Sequence, residues 1–138
     1  MNEVFQKRSN TFQSRLVEVG VDTGLIFDTD NIYYLSAYWG YLGIQFGRPT
    51  LLVIPNEGDC SIITPSLEAE MARKMTWIED VQEWSDGVDG EWRACLDNIF
   101  RNKKNMKIGI EKDKTHPVIT EFLKKAYPDI MVVSGEQK

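Results

Sequence analysis

A hydrolase needs a nucleophile with its base, a working pair of carboxylates, or a metal. This 138-residue sequence is sparing with all three. Its single histidine, His116, stands directly before Pro117. Any Ser–His–Asp or Cys–His arrangement would depend on it alone, and its position instead predicts an exposed residue at a helix start. No HExxH, phosphate-binding GxxxxGK[ST] loop or GxSxG elbow occurs. Cys60 lies in an apolar, strand-like run and Cys95 on a helical apolar stripe, with no CxxC spacing. Both are predicted to be small buried hydrophobes in a reducing compartment, and a zinc site is not expected.

Three acids, Asp28, Asp80 and Glu111, close or border predicted strands. Two-metal nucleases use such acids on adjacent strand ends to hold ions about 4 Å apart. The net charge of −5 and the lack of a basic, aromatic-interleaved strip weigh against that chemistry. Acids at strand ends are also common as solvated turn residues.

The constellation that looks built for recognition is Phe46-Gly47-Arg48-Pro49. Arginine offers a planar fork of donors that can hold a carboxylate bidentately, and a neighbouring aromatic can fix it by stacking. Gly47 would admit a close backbone approach, and Pro49 would lock the start of the next strand. The plainer alternative is an arginine in a surface salt bridge. The motif ends the segment from Ala37 to Gly47 (AYWGYLGIQFG), which holds four aromatics, three glycines and no charge. It is too glycine-rich for a good helix and too apolar for an ordinary exposed loop. Another surface, in this domain or outside it, should cover it.

The elements that must position these residues alternate between helical and strand periods, which predicts an α/β layer architecture. A helix is expected from Glu3 to Val19, burying Phe5, Phe12, Leu16 and Val19, with Gly20 as its cap. A buried strand over Thr23–Asp28 follows, then a short helix or turn over Asn31–Ser36 with its aromatic and aliphatic residues beneath the sheet. PTLLVIP (Pro49–Pro55) and CSIIT (Cys60–Thr64) flank a four-residue turn and read as a hairpin. Thr64 should cap a helix with Pro65 at its first position, running to about Met75. Thr76–Trp84 reads as a strand. Val88, Trp92, Cys95 and Ile99 form a helical stripe, and Met106–Glu111 a strand. Pro117–Tyr127 reads as a helix burying Ile119, Phe122, Leu123 and Ala126, and Asp129–Val133 as the last strand. The sum is one three-layer α/β/α domain over residues 1–138, with a sheet of about six strands.

Apolar residues make up 42% and charged residues 27% of the chain, the balance of a globular domain with its own core. The acidic surface predicts affinity for neither nucleic acid nor anionic membrane. No apolar run approaches the roughly 18 residues of a spanning helix. The N-terminus lacks the apolar stretch of a signal peptide, so a cytoplasmic location is expected.

The string Asp30-Asn-Ile-Tyr-Tyr-Leu-Ser-Ala-Tyr38 resembles the N-I-x-Y-L-[ST]-G-[FY] signature of the creatinase/prolidase N-terminal domain. Arg15-Leu…Gly20-Val-Asp22 precedes it as in that family, and the hairpin follows. Pro65-Ser-Leu-Glu68 is similar to the family's P-x-x-E helix start, and Trp77-Ile-Glu-Asp80-Val81 to its W-x-[DE]-V strand. Ile108-Gly-Ile-Glu111 and Ala126-Tyr-Pro-Asp129 match later motifs. The likeness runs from about Arg15 to Val133. Ala37 stands where the signature usually has glycine.

The resemblance implies a mixed sheet of ribonuclease-H-like topology. It also implies a non-catalytic domain that precedes a C-terminal "pita-bread" catalytic domain, as in Xaa-Pro dipeptidases, aminopeptidase P and creatinase. No cofactor is expected in this chain. In the peptidases, that second domain would carry a pair of Mn, Co or Zn ions. A homodimer is implied, with this domain capping the partner subunit's active site over a peptide or a small amidine or amide substrate. The residues so implicated are Phe46 and Arg48, matching a Phe-Gly-Arg stretch of creatinase-like members. Trp39 and Tyr41 would shape the mouth. The main expectation is thus the N-terminal domain of an Xaa-Pro peptidase-type hydrolase. Its rivals are a creatinase-like amidinohydrolase, a stand-alone binding module without activity, and the metal-dependent nuclease.

Overall fold

The computed structural model describes residues 2–39, 49–85, 91–100, 106–111, 115–128 and 131–134. Its first helix, α1 (Asn2–Val19), stops where Gly20 takes a left-handed φ of 76°. The Gly20 amide donates to the Val17 carbonyl and the Val21 amide to that of Leu16, the paired bonds of a Schellman turn. Leu16 and Val21 bury in the same apolar cluster, the hydrophobic pairing that accompanies this motif. Val19, expected on the buried face, is 67% exposed; the turn hands its inward role to Val21.

Six strands follow: β1 (Thr23–Ile26), β2 (Leu51–Pro55), β3 (Ser61–Pro65), β4 (Asp80–Trp84), β5 (Lys107–Ile110) and β6 (Met131–Ser134). Among the described residues they form one sheet in the order β4-β3-β2-β1-β5-β6. β2 runs antiparallel to both its neighbours and every other pair is parallel. An antiparallel β1-β2-β3 meander extended by parallel strands beside β1 is the ribonuclease-H-like arrangement predicted. The hairpin is in place, with Leu51 opposite Ile63 and Leu52 opposite Ile62.

The two faces of the sheet separate by the two-residue period of its strands. Ile26, Leu52, Ile54, Ile62 and Val81 face α1, α2 (Thr29–Ser36) and α3 (Ser66–Met75). Leu25, Leu51, Val53, Ile63 and Ile108 face α4 (Trp92–Phe100) and α5 (Pro117–Ala126). The result is the expected three-layer α/β/α order. Gly24 lets α1 sit close, because a Cβ there would lie 2.8 Å from the Phe12 ring.

Several local expectations are corrected. Thr76–Glu79 is not strand; β4 begins at Asp80. Thr64 does not cap α3. Pro65 holds the cap position without a side-chain bond, and the Thr64 hydroxyl pairs with that of Thr50 at 2.9 Å. Tyr33 and Tyr34 of α2 face outward rather than beneath the sheet, leaving Ile32 and Leu35 to fill the core. On α5, Ala126 is exposed and Tyr127 is buried beyond the helix end. Val88 of the predicted stripe lies outside the described residues.

Candidate functional site

Of the four residues assigned to recognition, Tyr41, Phe46 and Arg48 lie outside the described residues. Trp39 is described, 41% exposed, three residues past the end of α2. The site can therefore be built from its base, which is α2 and the points where the chain leaves at Trp39 and returns at Pro49.

α2 is short, eight residues, and isolated helices of that length do not persist in water. Its start is held from two sides. Asp28 is the N-cap and its carboxylate accepts from the Asn31 amide at 3.2 Å. Glu111, just past β5, accepts from the Phe27 and Asp28 amides at 2.6 and 2.9 Å and from Asn31 Nδ2 at 2.6 Å. One carboxylate thus ties the end of β1, the cap and the first turn together.

Its end is held more tightly. The last four carbonyls of a helix lack intrahelical partners, yet each of these four is satisfied. Tyr33 O accepts from the Ala37 amide at 2.9 Å, and Tyr34 O from the Arg8 guanidinium at 3.1 Å. Leu35 O accepts from the Ser9 hydroxyl and from Trp77 Nε1, both at 2.9 Å. Ser36 O accepts from the Thr76 hydroxyl at 2.7 Å. Ala37 then turns the chain through a left-handed φ of 73°, a conformation that favours glycine.

Beyond Ala37, Tyr38 is fully buried; its amide donates to the Ser36 hydroxyl at 3.1 Å and its phenol donates to the carboxylate of Glu68. Glu68 is itself only 3% exposed, in the first turn of α3. At the returning end, Pro49 O accepts from Trp84 Nε1 at 3.3 Å, and Thr50 meets Thr64. Tyr38 and Thr50 therefore both dock on the junction of β3 and α3.

Outside this base lies an aromatic surface. Trp39 stands edge-on to Tyr33 with centroids 6.1 Å apart, and Tyr33 edge-on to Phe5 at 5.5 Å. The Arg8 guanidinium lies 4.1 Å from the Tyr34 ring centroid and 5.1 Å from that of Phe5. Arg8 thus combines a cation–π contact with its bond to the helix end.

The nuclease trio does not converge. Asp28 and Glu111 follow the carboxyl ends of the neighbouring strands β1 and β5, whereas Asp80 begins the edge strand β4, which β3 and β2 separate from β1. Asp80 is engaged by Ser61 at 2.5 Å and Gln82 at 3.1 Å. Among the described residues no group of three or more His, Cys, Asp or Glu could hold a metal ion. His116 is the exposed N-cap of α5, its Nδ1 accepting from the Val118 amide at 3.1 Å. Cys60 and Cys95 are buried free thiols. Burial pushes Cys60 up to about 12, with the Asp59 carboxylate adding to it. Burial, and then Asp80, raises Cys95 as well. Neither is a ready nucleophile, since the thiolate is the reactive form.

Sequence reasoning missed Ser9, Arg8, Thr76 and Trp77 as caps of α2, and Glu111 as its anchor. Glu111 was visible only as a strand-end acid and the close of the Ile108–Glu111 motif, and Trp77 only as part of a motif taken for strand.

A six-stranded mixed sheet with helices on both faces and a clamped helix feeding an aromatic segment defines an α/β domain of a particular kind. The family model for the creatinase/prolidase N-terminal domain matches residues 8–137, and the chain belongs to that family. Its fold is similar to that of the creatinase/prolidase N-terminal domain of an X-Pro dipeptidase from Streptococcus pyogenes. That likeness has a TM-score of 0.79 at 15% identity, over 94% of this chain and 99% of that one. It is also similar to the N-terminal domain of the cytoplasmic peptidase PepQ from Mycobacterium tuberculosis (TM-score 0.75, 17% identity, 94% and 93% covered). A prolidase from Thermococcus sibiricus gives a TM-score of 0.78 at 22% identity over 94% of this chain. The match spans only 34% of that longer protein. No curated protein sequence matches the chain. No described helix is long and apolar enough to cross a membrane.

Proposed function

We propose that this chain is the non-catalytic N-terminal domain of a metal-dependent Xaa-Pro dipeptidase- or aminopeptidase-type hydrolase. It contributes to dimerisation and caps the partner subunit's active site. The observation that carries the reading is the over-determined end of α2, whose four last carbonyls are all engaged. A fixed base of this kind suits a segment that must present side chains to another surface with little freedom. The family membership supports it, as does the prolidase that extends well beyond the matched region.

In this reading a C-terminal catalytic domain holds the divalent metal pair and performs the hydrolysis. Arg48 holds the substrate carboxylate, and Phe46, Trp39 and Tyr41 shape the mouth. A cytoplasmic location fits the PepQ likeness. Replacing Arg48 with alanine in the full-length enzyme should lower kcat/KM by about 10- to 1000-fold, the loss of a charge-assisted contact. An unchanged kcat/KM sinks the assignment. The Phe46-Gly47-Arg48 string also favours a second reading, a creatinase-like amidinohydrolase. Turnover of creatine but not of Xaa-Pro dipeptides by the full-length protein selects it.

A further inference from the structure

Among the described residues the sheet ends in two edge strands, β4 and β6, and an edge offers a row of backbone groups to any further strand. The chain treats its two edges differently. Pro65 has no amide to give, so in the parallel pair with β3 it is Trp84, and with it Gln82 and Asp80, that turns inward. Val81 and Glu83 turn outward, and their carbonyls are covered from both faces of the sheet. Arg73 of α3 donates to Val81 O at 3.1 Å and lies 3.5 Å from the Glu83 carboxylate. Cys95 of α4 sets its thiol 4.0 Å from Glu83 O. A strand approaching β4 would have to displace the arginine and meet the carboxylates of Asp80 and Glu83.

β6 has no such cover. The Met131 amide donates to Met106 O at 2.9 Å. In the parallel pair with β5, Met131 and Val133 therefore turn inward, and Val132 and Ser134 turn their amides and carbonyls away. Among the described residues no side chain bonds to those outward groups. Met131-Val-Val-Ser134 also carries no charge. Val132 packs against the cluster beneath α4 and α5, and Val133 against the one beneath the first three helices. Met131 is exposed on the same side of the sheet as Val133.

One open edge and one covered edge narrow what can pair. β6 laid on β4 of the next copy would leave a free edge at each end and grow without closing, and the cover on β4 opposes that contact. β6 laid antiparallel on β6 of a second copy uses the open edge of both and closes. A two-fold axis between the two Val133 residues sets Val132 of each copy opposite Ser134 of the other, and each such pair exchanges both of its backbone hydrogen bonds. The two Val133 side chains then meet across the axis, with no like charges to hold the strands apart. We propose that the outer edge of β6 is a docking surface for β6 of a second copy of this chain, the two sheets joining into one. This rests on the dimerisation read above and gives it a surface in this domain, and it depends on neither Arg48 nor the catalytic domain. A ladder of four-residue strands is a small interface, so the dissociation constant should be about 10 µM to 1 mM.

The test is sedimentation equilibrium of the 138-residue chain across that concentration range, with amide hydrogen exchange read by NMR at its two ends. Val132→Pro and Ser134→Pro each remove an outward amide and leave the bonds of Met131 and Val133 to β5 in place, a use of proline that edge strands tolerate. A single monomer–dimer equilibrium is expected, and each proline should raise its dissociation constant by about tenfold or more. In the unmodified chain the Val132 and Ser134 amides should exchange about fivefold more slowly at the higher concentration. A chain that stays monomeric throughout leaves this edge to a strand from outside the domain and overturns the pairing. A dimer that neither proline weakens overturns it as well, while the dimerisation itself stands through another face. Association that continues beyond the dimer overturns the closed pair. Thermal unfolding shows which variants are folded, and Ser134→Pro, at the end of the strand, keeps the test decisive should Val132→Pro not fold. The capping role is untouched by each of these results, because Arg48→Ala in the full-length enzyme decides it.

Discussion

Glu111 and Asn31 stand 80 residues apart in sequence and are joined by a 2.6 Å hydrogen bond from the Asn31 side-chain amide to the Glu111 carboxylate. The other oxygen of that carboxylate takes both amides at the end of β1. The bond lies where two parallel strands send their following helices to opposite faces of the sheet, α2 to one and α5 to the other. In open α/β sheets that crevice is where ligands usually sit. Here an internal carboxylate occupies the donors that an anionic ligand would use, and the crevice becomes a structural joint.

Removing the joint should be costly. Glu111→Ala leaves the Phe27 and Asp28 amides without their acceptor, and hydrogen bonds to a charged group contribute about 1.5–3 kcal/mol. We expect a loss of about 2–3 kcal/mol in urea unfolding, seen as a lower midpoint at unchanged slope. Glu111→Gln, which keeps one carbonyl oxygen for the two amides, should lose about 1 kcal/mol. Equal losses for the two variants would show that shape, not the acceptor, matters there.

Ala37 offers a change in the opposite direction. It ends α2 with φ at 73°, a conformation where an L residue bears a penalty of about 1–2 kcal/mol and glycine does not. Glycine gives back part of that through its freer unfolded chain. Ala37→Gly should therefore stabilise the domain by about 1 kcal/mol, or raise its Tm by about 3–5 °C. A fall in Tm would mean that the buried Ala37 methyl contributes more packing than its backbone strain takes away.

Much of this molecule could be read from the sequence because its elements obey local rules. The hairpin, the Gly20 stop and the alternation of helix with strand depend on turn residues and on periods of 3.6 or two. What escaped reading depended on partners far along the chain. Thr76 and Trp77 look like the start of a strand until the carbonyls of Leu35 and Ser36 are set beside them. Tyr33 and Tyr34 look like core residues until Arg8 is placed over Tyr34 and Phe5 over Tyr33. Glu111 is an ordinary strand-end acid until Asn31 meets it. For the proposed site, Phe46-Gly47-Arg48 suggests carboxylate recognition by residue type alone and lies outside the described residues. The corner at Thr64 and Glu68, where Thr50 and Tyr38 dock, carries no such label, since a threonine and a glutamate at a strand–helix junction suggest only a cap.

Cys60 gives the domain a stability that depends on pH in a direction fixed by its burial. Its thiol is pushed from 9.0 up to about 12, chiefly by desolvation and further by Asp59. In the unfolded chain the same thiol ionises near its ordinary value. Between about pH 9 and 12 the unfolded state therefore releases a proton that the folded state keeps, and stability falls as pH rises. The contribution is fully present below pH 9. It is lost at about 1.4 kcal/mol per pH unit through that window, an order-of-magnitude slope. Other groups titrate there too, so the comparison that isolates it is with Cys60→Ala, whose stability should fall less steeply from pH 9 to 11. The same burial should leave Cys60 unmodified by iodoacetamide at pH 8 in the native state and make it reactive once urea unfolds the chain. Parallel stability curves for the two proteins, or rapid native alkylation of Cys60, would contradict the placement of this thiol in the core between the sheet and the first three helices.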